Sequence, residues 1–143
     1  MKRSRPNKRG FTLVEIMVVI AIIVVAGSFL VPNLVKQLGR AKKDLAKPRM
    51  ATIEDAIHRY YLHTGSYPEG DGAEALQVLL TNSNNIEGWD GPYLKASQLI
   101  DPWGRPYIYK AEGDHNPGSF DLISYGADGQ EGGDKENEDI YND

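Results

Sequence analysis

The sequence predicts an α+β chain in which one long N-terminal helix, its first half membrane-spanning, packs on a small antiparallel β-sheet. Three observations predict it. Five basic side chains (Lys2, Arg3, Arg5, Lys8 and Arg9) precede Gly10, the segment Phe11-Thr12-Leu13-Val14-Glu15 and an apolar run that ends at Val31. Apolar residues then continue at helical spacing with basic ones between them. After residue 100, short runs rich in Tyr, Ile, Leu and Phe alternate with Gly- and Pro-bearing turns, the signature of strands.

Basic charge ahead of about 20 apolar residues marks a membrane-spanning segment whose start is held on the cytoplasmic side. Beyond Pro32 the stripe continues through Leu34, Leu38, Ala41 and Leu45, with Lys36, Arg40, Lys42 and Lys43 between, so the membrane helix extends into water. Pro32 and Pro48 each remove a backbone donor, and a bend is expected at both. Met50, Ile53, Ala56, Ile57, Tyr60 and Tyr61 then restore the apolar face before Gly65-Ser66-Tyr67-Pro68 stops it. The helix is expected over residues 11–63.

Ala75, Leu76, Leu79 and Leu80 predict a short second helix over residues 74–80, and Asn82, Ser83, Asn84 and Asn85 a loop. Asp101-Pro102-Trp103-Gly104 reads as a turn feeding a strand at 107–110. Asn116-Pro117-Gly118-Ser119 turns the chain back into a strand at 120–125. Two strands are marginal alone. They are expected to pack on the long helix through Ile53, Ile57, Tyr107 and Phe120, with a third strand near Tyr93-Leu94. Without the first 31 residues about 110 remain, enough for one small domain.

Cysteine is absent, which excludes a disulfide framework and any Cys-based metal site or nucleophile. Charge is uneven: residues 36–49 carry six bases against Asp44, and residues 112–143 carry ten acids against Lys135. Glu15 stands out because a carboxylate at mid-membrane costs about 2.5–3.5 kcal/mol on insertion scales and is normally kept for a partner. A cut after Gly10 would create one, the new amine of Phe11. Gly10, Phe11 and Glu15 together resemble the leader of type IV prepilins and pseudopilins. That resemblance implies cleavage between Gly10 and Phe11 by a prepilin peptidase, methylation of the Phe11 amine, and a role for Glu15 in assembly with a neighbouring copy. The competing readings are an uncleaved anchor with a stray acid and a secretory signal. The second is disfavoured because its small-residue cleavage site should follow the apolar core, whereas Gly10 precedes it.

The stretch from Ser124 to Ile140 sets oxygen-bearing side chains among glycines, a pattern able to wrap a hard cation; calcium takes six to eight oxygen ligands. The ligand spacing is not that of an EF-hand. From the residues alone a solvated acidic tail remains the competing and simpler reading.

The Gly-Phe-Thr-Leu leader, Ser66-Tyr67-Pro68, Asp101-Pro102-Trp103-Gly104, Phe120-Asp121-Leu122-Ile123-Ser124 and Gly126-Ala127-Asp128-Gly129-Gln130-Glu131-Gly132-Gly133, ending in Asp139-Ile140, together resemble the major pseudopilins of the type II secretion system. The similarity runs from Gly10 nearly to the end of the chain. It implies a type IV pilin-like fold divided into a leader (1–10), a transmembrane and assembly helix (11–31) and a periplasmic globular domain (32–143). It implies a Ca2+ ion in the C-terminal loop, held by Asp128 and Asp139 with backbone oxygens of Tyr125 and Gln130, and completed by Asn137, Glu138 or Asp134. The implied partners are further copies of the chain, minor pseudopilins, an inner-membrane assembly platform and the prepilin peptidase. The implied location is the bacterial inner membrane, crossed once. The implied function is a pseudopilus subunit that drives folded proteins across the outer membrane; a pilin-like fibre for adhesion or DNA uptake is the alternative.

Other residues carry weaker signals. His58 and His63 lack a partner at ligand spacing and are expected as surface or packing residues, and Tyr60, Tyr61, Trp89 and Trp103 as core and turn packing. The basic stripe over residues 36–49 suits lipid headgroups or nucleic acid, but a solvated, subunit-contacting face is preferred, without a nucleic-acid partner. No Ser-His-Asp set, phosphate loop or helically spaced carboxylate pair argues for catalysis. A membrane-anchored calcium-binding module and a membrane-bound enzyme are the readings from other classes; assembly separates the first and turnover the second.

Overall fold

The computed structural model describes residues 10–142, so the five leading bases and Asp143 lie outside the described residues. The chain forms two compact units, residues 1–37 and 38–143. A single helix, α1 (Leu13–Thr64), contributes to both.

In the first unit, α1 carries an apolar stretch long enough to cross a membrane and entirely unburied. Phe11 is 84% exposed, Phe29 72% and Ile23 63%. Apolar surface of this extent needs an apolar surrounding. Ser28 Oγ donates to the Val25 carbonyl at 2.7 Å and Asn33 Nδ2 to the Phe29 carbonyl at 3.2 Å, so the polar side chains here close on their own helix.

The second unit begins where α1 acquires a buried face. Ala46, Met50, Ile53, Ile57 and Tyr60 recur three and four residues apart, and this face is covered. Pro48 lies off it, exposed, and α1 runs unbroken through both Pro32 and Pro48. A mid-helix proline costs about 3 kcal/mol. Burial of Met50, Ile53 and Ile57 at about 1.5–3 kcal/mol each outweighs that around Pro48.

The sheet follows α1. Strand β1 (Ile108–Lys110) pairs antiparallel with β2 (Asp121–Ser124), which pairs antiparallel with β3 (Ile140–Tyr141), giving the order β1-β2-β3. The two expected strands are present in shortened form. The third is not where it was expected: Tyr93 and Leu94 are buried in the core but lie in irregular chain, where the Tyr93 N–H donates to the Leu79 carbonyl at 2.8 Å. Its place is taken by the end of the acidic tail, in register Ile123↔Tyr141 and Ser124↔Ile140. The predicted second helix is a 3₁₀ helix, Glu74–Leu79, closed by i+3 bonds such as Leu80 N–H to the Gln77 carbonyl at 2.9 Å. So short a segment does not repay α-helix nucleation, and Ala75, Leu76 and Leu79 are buried by the tighter turn. Two further 3₁₀ helices, Ala96–Leu99 and Lys135–Asn137, complete the elements.

One core joins α1 to the sheet, with Ile53, Ile57, Tyr107, Tyr109 and Phe120 at its centre. Tyr107 spans it, its hydroxyl donating to the Ala46 carbonyl of α1 at 3.3 Å, and Tyr109 donates to the Pro68 carbonyl at 3.2 Å. Burial pushes both phenols up to about 12. His58 and His63 are exposed, within the expectation of surface or packing residues. The His63 ring meets the Tyr93 hydroxyl at 3.0 Å, and His58 Nδ1 lies 2.9 Å from the Glu54 carbonyl. Trp89 Nε1–H donates to the Val78 carbonyl at 2.7 Å, and Tyr61 stacks on Tyr67 at 4.6 Å.

Candidate functional site

At the start of α1 the structure supplies what charge reasoning alone overlooked. Thr12 precedes the first helical residue, and Glu15 sits three positions later. The Glu15 N–H donates to Thr12 Oγ1 at 3.2 Å, while the Thr12 N–H and hydroxyl donate to Glu15 Oε2 at 2.8 and 3.0 Å. This reciprocal capping box satisfies two backbone donors that a helix start leaves open. Thr-x-x-Glu was legible in the sequence as its signal. Glu15 therefore has a local partner within its own chain, and Gly10 and Phe11 lead directly into the cap.

The second site is the loop between β2 and β3, whose ends are closed by the Ser124–Ile140 pair. It folds back on itself. The Tyr125 carbonyl accepts from the Gly129 N–H at 3.0 Å, and the Glu136 carbonyl accepts from the Ala127 N–H at 3.0 Å. Gly126 at φ 58° and Gly133 at φ 95° both lie against Asn137. A Cβ would come within 2.9 Å of the Glu138 carbonyl oxygen at the first and 2.6 Å of the Asn137 carbonyl oxygen at the second. Only glycine suits both the backbone angle and the approach.

The predicted ligands are engaged as follows. Asp128 Oδ1 accepts from the Gln130 N–H at 3.1 Å, and Asp139 Oδ2 from the Gly132 N–H at 2.8 Å and the Tyr141 hydroxyl at 3.4 Å. Burial and the Asp139 carboxylate push the Tyr141 phenol above its usual range. Asp139 Oδ1 is buried and has no hydrogen-bond partner. A buried carboxylate oxygen left bare is costly, and a cation beside it removes the cost. Among the described residues no three His, Asp or Glu side chains gather into a metal-binding cluster. A cation here would draw heavily on backbone and amide oxygens, the donor type that calcium accepts and that Tyr125, Gln130 and Asn137 offer.

Two of the alternatives for completing the shell lie beside a lysine. Glu138 Oε2 takes a 2.6 Å hydrogen bond from Lys43 of α1, which holds its carboxyl below the usual carboxylate range, and Asp134 lies 3.8 Å from Lys135 Nζ. Beside Lys43, a Cβ on Gly39 would strike Cγ of Glu136 at 2.6 Å, so α1 and the loop meet closely there. The basic stripe is thus partly spent within its own unit, since Arg49 also donates to the Ile100 carbonyl at 3.3 Å.

Residues missed by sequence reasoning hold this loop and its neighbours. Asp101, 3% exposed, accepts from the N–H groups of Trp103 and Arg105 through Oδ1 and from the Ser124 hydroxyl through Oδ2 at 2.7 Å. The Arg105 guanidinium in turn donates to the carbonyls of Gly126 and Ala127. Asp121 is fully buried and accepts from the N–H groups of His115 and Asn116 at 2.9 and 3.0 Å. Asn142 Oδ1 accepts from the Leu122 N–H at 2.7 Å, sealing β3 against β2. An Asp before Pro-Trp-Gly signals a turn in any sequence; its reach to Ser124 is visible only in the fold.

An exposed apolar stretch of helix opened by a Gly-Phe junction, on a chain whose helix continues into a small antiparallel sheet, is the α+β arrangement of pilin-like subunits. Residues 5–31 match the prokaryotic N-terminal methylation motif. Residues 33–143 match the family described as type II secretion system (T2SS), protein G, and the chain belongs to it. The type II secretion system core protein G of Vibrio cholerae is 40% identical over 143 residues, covering 99% of this chain and 95% of the relative. The core protein G of Pseudomonas aeruginosa is 41% identical over 142 residues, covering 97% of each. That of Escherichia coli K12 is 39% identical over 136 residues, covering 91% of this chain and 89% of the relative. Membership makes the chain a structural component of a secretion system, which decides between the two fibre readings.

Proposed function

We propose that this chain is the repeating subunit of a periplasmic pseudopilus, polymerised from the inner membrane so that the growing fibre pushes folded proteins through an outer-membrane channel. The observation that carries the reading is the wholly exposed apolar stretch at the start of α1. Lipid covers such a surface before assembly and the helices of neighbouring copies cover it after, so the same side chains serve as anchor and as fibre core. A prepilin peptidase cuts between Gly10 and Phe11 and methylates the new amine. Minor pseudopilins and an inner-membrane platform start and power assembly. Glu15, held by Thr12 within one chain, exchanges that contact for the Phe11 amine of a neighbour as the subunit leaves the membrane.

Calcium belongs to the same proposal. Asp128, Asp139 and Asn137, with backbone oxygens of Tyr125 and Gln130, would hold it, and the bare buried oxygen of Asp139 supports this reading. The ion would add positive charge beside Asp128 and Asp139. Expression in the native host tests the assembly reading. Fibres should form, and mass spectrometry should find their subunits beginning at a methylated Phe11. Fibres built from chains that keep the leader would overturn the processing step, and failure to polymerise would overturn the function.

A further inference from the structure

We propose that Arg105 is a positioning residue for the cation site of the β2–β3 loop, a role that rests on the calcium reading above. Its Nη1 donates to the carbonyls of Gly126 and Ala127 at 3.0 and 3.1 Å, and its Nη2 to the Ala127 carbonyl at 3.1 Å. These two consecutive peptide units lie between Tyr125 and Asp128, two of the proposed ligands. A forked donor gripping adjacent carbonyls fixes the backbone between two ligands more firmly than single bonds do.

Arg105 is itself anchored. Its N–H donates to Asp101 Oδ1 at 2.8 Å, and the other oxygen of that buried carboxylate accepts from the Ser124 hydroxyl at 2.7 Å. One carboxylate thus ties the turn that carries Arg105 to the last residue of β2, immediately before Tyr125. The loop leaves room for the guanidinium on its far side too. Gly129 has φ 72°, and a Cβ there would fall 2.7 Å from Cζ and 2.8 Å from Cδ of Arg105. Residues 126, 127 and 129 therefore all shape themselves to one side chain.

Charge makes the role testable by sign. A cationic side chain near a calcium site opposes calcium binding. If Arg105 acted only through its charge, removing it would tighten binding. A positioning role predicts weakening, because the ligands lose their preset geometry; outer-shell changes of this kind typically cost about 10–100-fold in metal affinity.

The test is calorimetric titration of calcium chloride into the full chain in detergent micelles, for the wild type, Arg105→Gln and Arg105→Lys, with circular dichroism to establish that each is folded. Arg105→Gln should raise the calcium Kd at least about tenfold. Arg105→Lys keeps the charge without the fork and should also bind more weakly than wild type; it carries the test if the Gln variant does not fold. In chelator, amide hydrogen exchange over residues 125–130 should be faster in both variants, a readout independent of the metal. Equal or tighter binding by folded variants, with the wild type binding calcium, overturns the positioning role alone. A wild type that binds no calcium overturns the calcium reading and this role with it.

Discussion

The start of α1 and the loop between β2 and β3 are both unfinished in a single chain, and in opposite ways. The helix start exposes apolar side chains whose demand is non-directional, so lipid tails or the helices of other copies satisfy it equally well. The loop leaves one buried carboxylate oxygen bare, a directional demand that a cation of suitable size would answer. The difference teaches what each region tolerates. Apolar exchanges within the helix start should be mild, whereas a single added methyl in the loop should not.

Glu15 is the exception on the helix side and should give the largest effect. Glu15→Ala removes the carboxylate that caps the helix start, and fibres should fail to form while the second unit melts as in wild type, since its core contains no residue from the start of α1. Electron microscopy and thermal melting of the same preparation check both halves. Wild-type fibre yield would remove Glu15 from assembly.

On the loop side, Gly126→Ala should destabilise the second unit by about 1–3 kcal/mol, because the new Cβ meets the Glu138 carbonyl and the backbone is in the left-handed region. Gly118→Ala is its control. That glycine has φ 85° with open space around the Cβ position, so only the backbone strain applies. Urea midpoints of the two variants should differ, with Gly126→Ala the lower. Equal midpoints would mean that the close packing of Gly126 on residues 137 and 138 contributes nothing.

The smallest effect concerns the ion pair between Lys43 and Glu138. The Glu138 carboxyl is held below its usual range, so whatever it contributes is present above the ordinary carboxylate pKa of about 4.3 and is lost as pH falls through its lower folded value. The stability gap between wild type and Lys43→Ala should therefore be visible at pH 7, shrink at pH 3 and diminish in salt. A gap unchanged between those pH values would show that Lys43 acts through packing instead.

Much of this was legible in the sequence, and the reasons differ by region. The apolar run, the period of Ala46, Met50, Ile53 and Ile57, and the core pair Tyr107 and Phe120 follow from hydrophobic patterning, which reports burial directly. The single helix through Pro32 and Pro48 was legible from the apolar stripe on either side of each, whereas the burial that offsets the cost of Pro48 was not, because a proline's local cost is visible in sequence and its compensation is not. β3 escaped notice because Ile140–Tyr141 is too short for alternation to register. The capping of Thr12 and Glu15 was overlooked although its Thr-x-x-Glu spacing is a local signal. Local rules could not reach Asp101 or Arg105, whose partners at Ser124, Gly126 and Ala127 are brought to them only by the fold.

Thermal melting of the full chain in detergent micelles, in chelator, calcium or magnesium, tests most directly the claim that the loop is completed by a cation. Calcium at a hundredfold above its Kd should stabilise the second unit by about 2.7 kcal/mol, a rise in Tm on the order of 10 °C. Magnesium, which demands a smaller and near-octahedral site, should do far less. A calcium-dependent rise that is lost in both Asp128→Ala and Asp139→Ala is the predicted result; the same Tm in all three conditions would contradict it and return the loop to a solvated acidic connection between two strands.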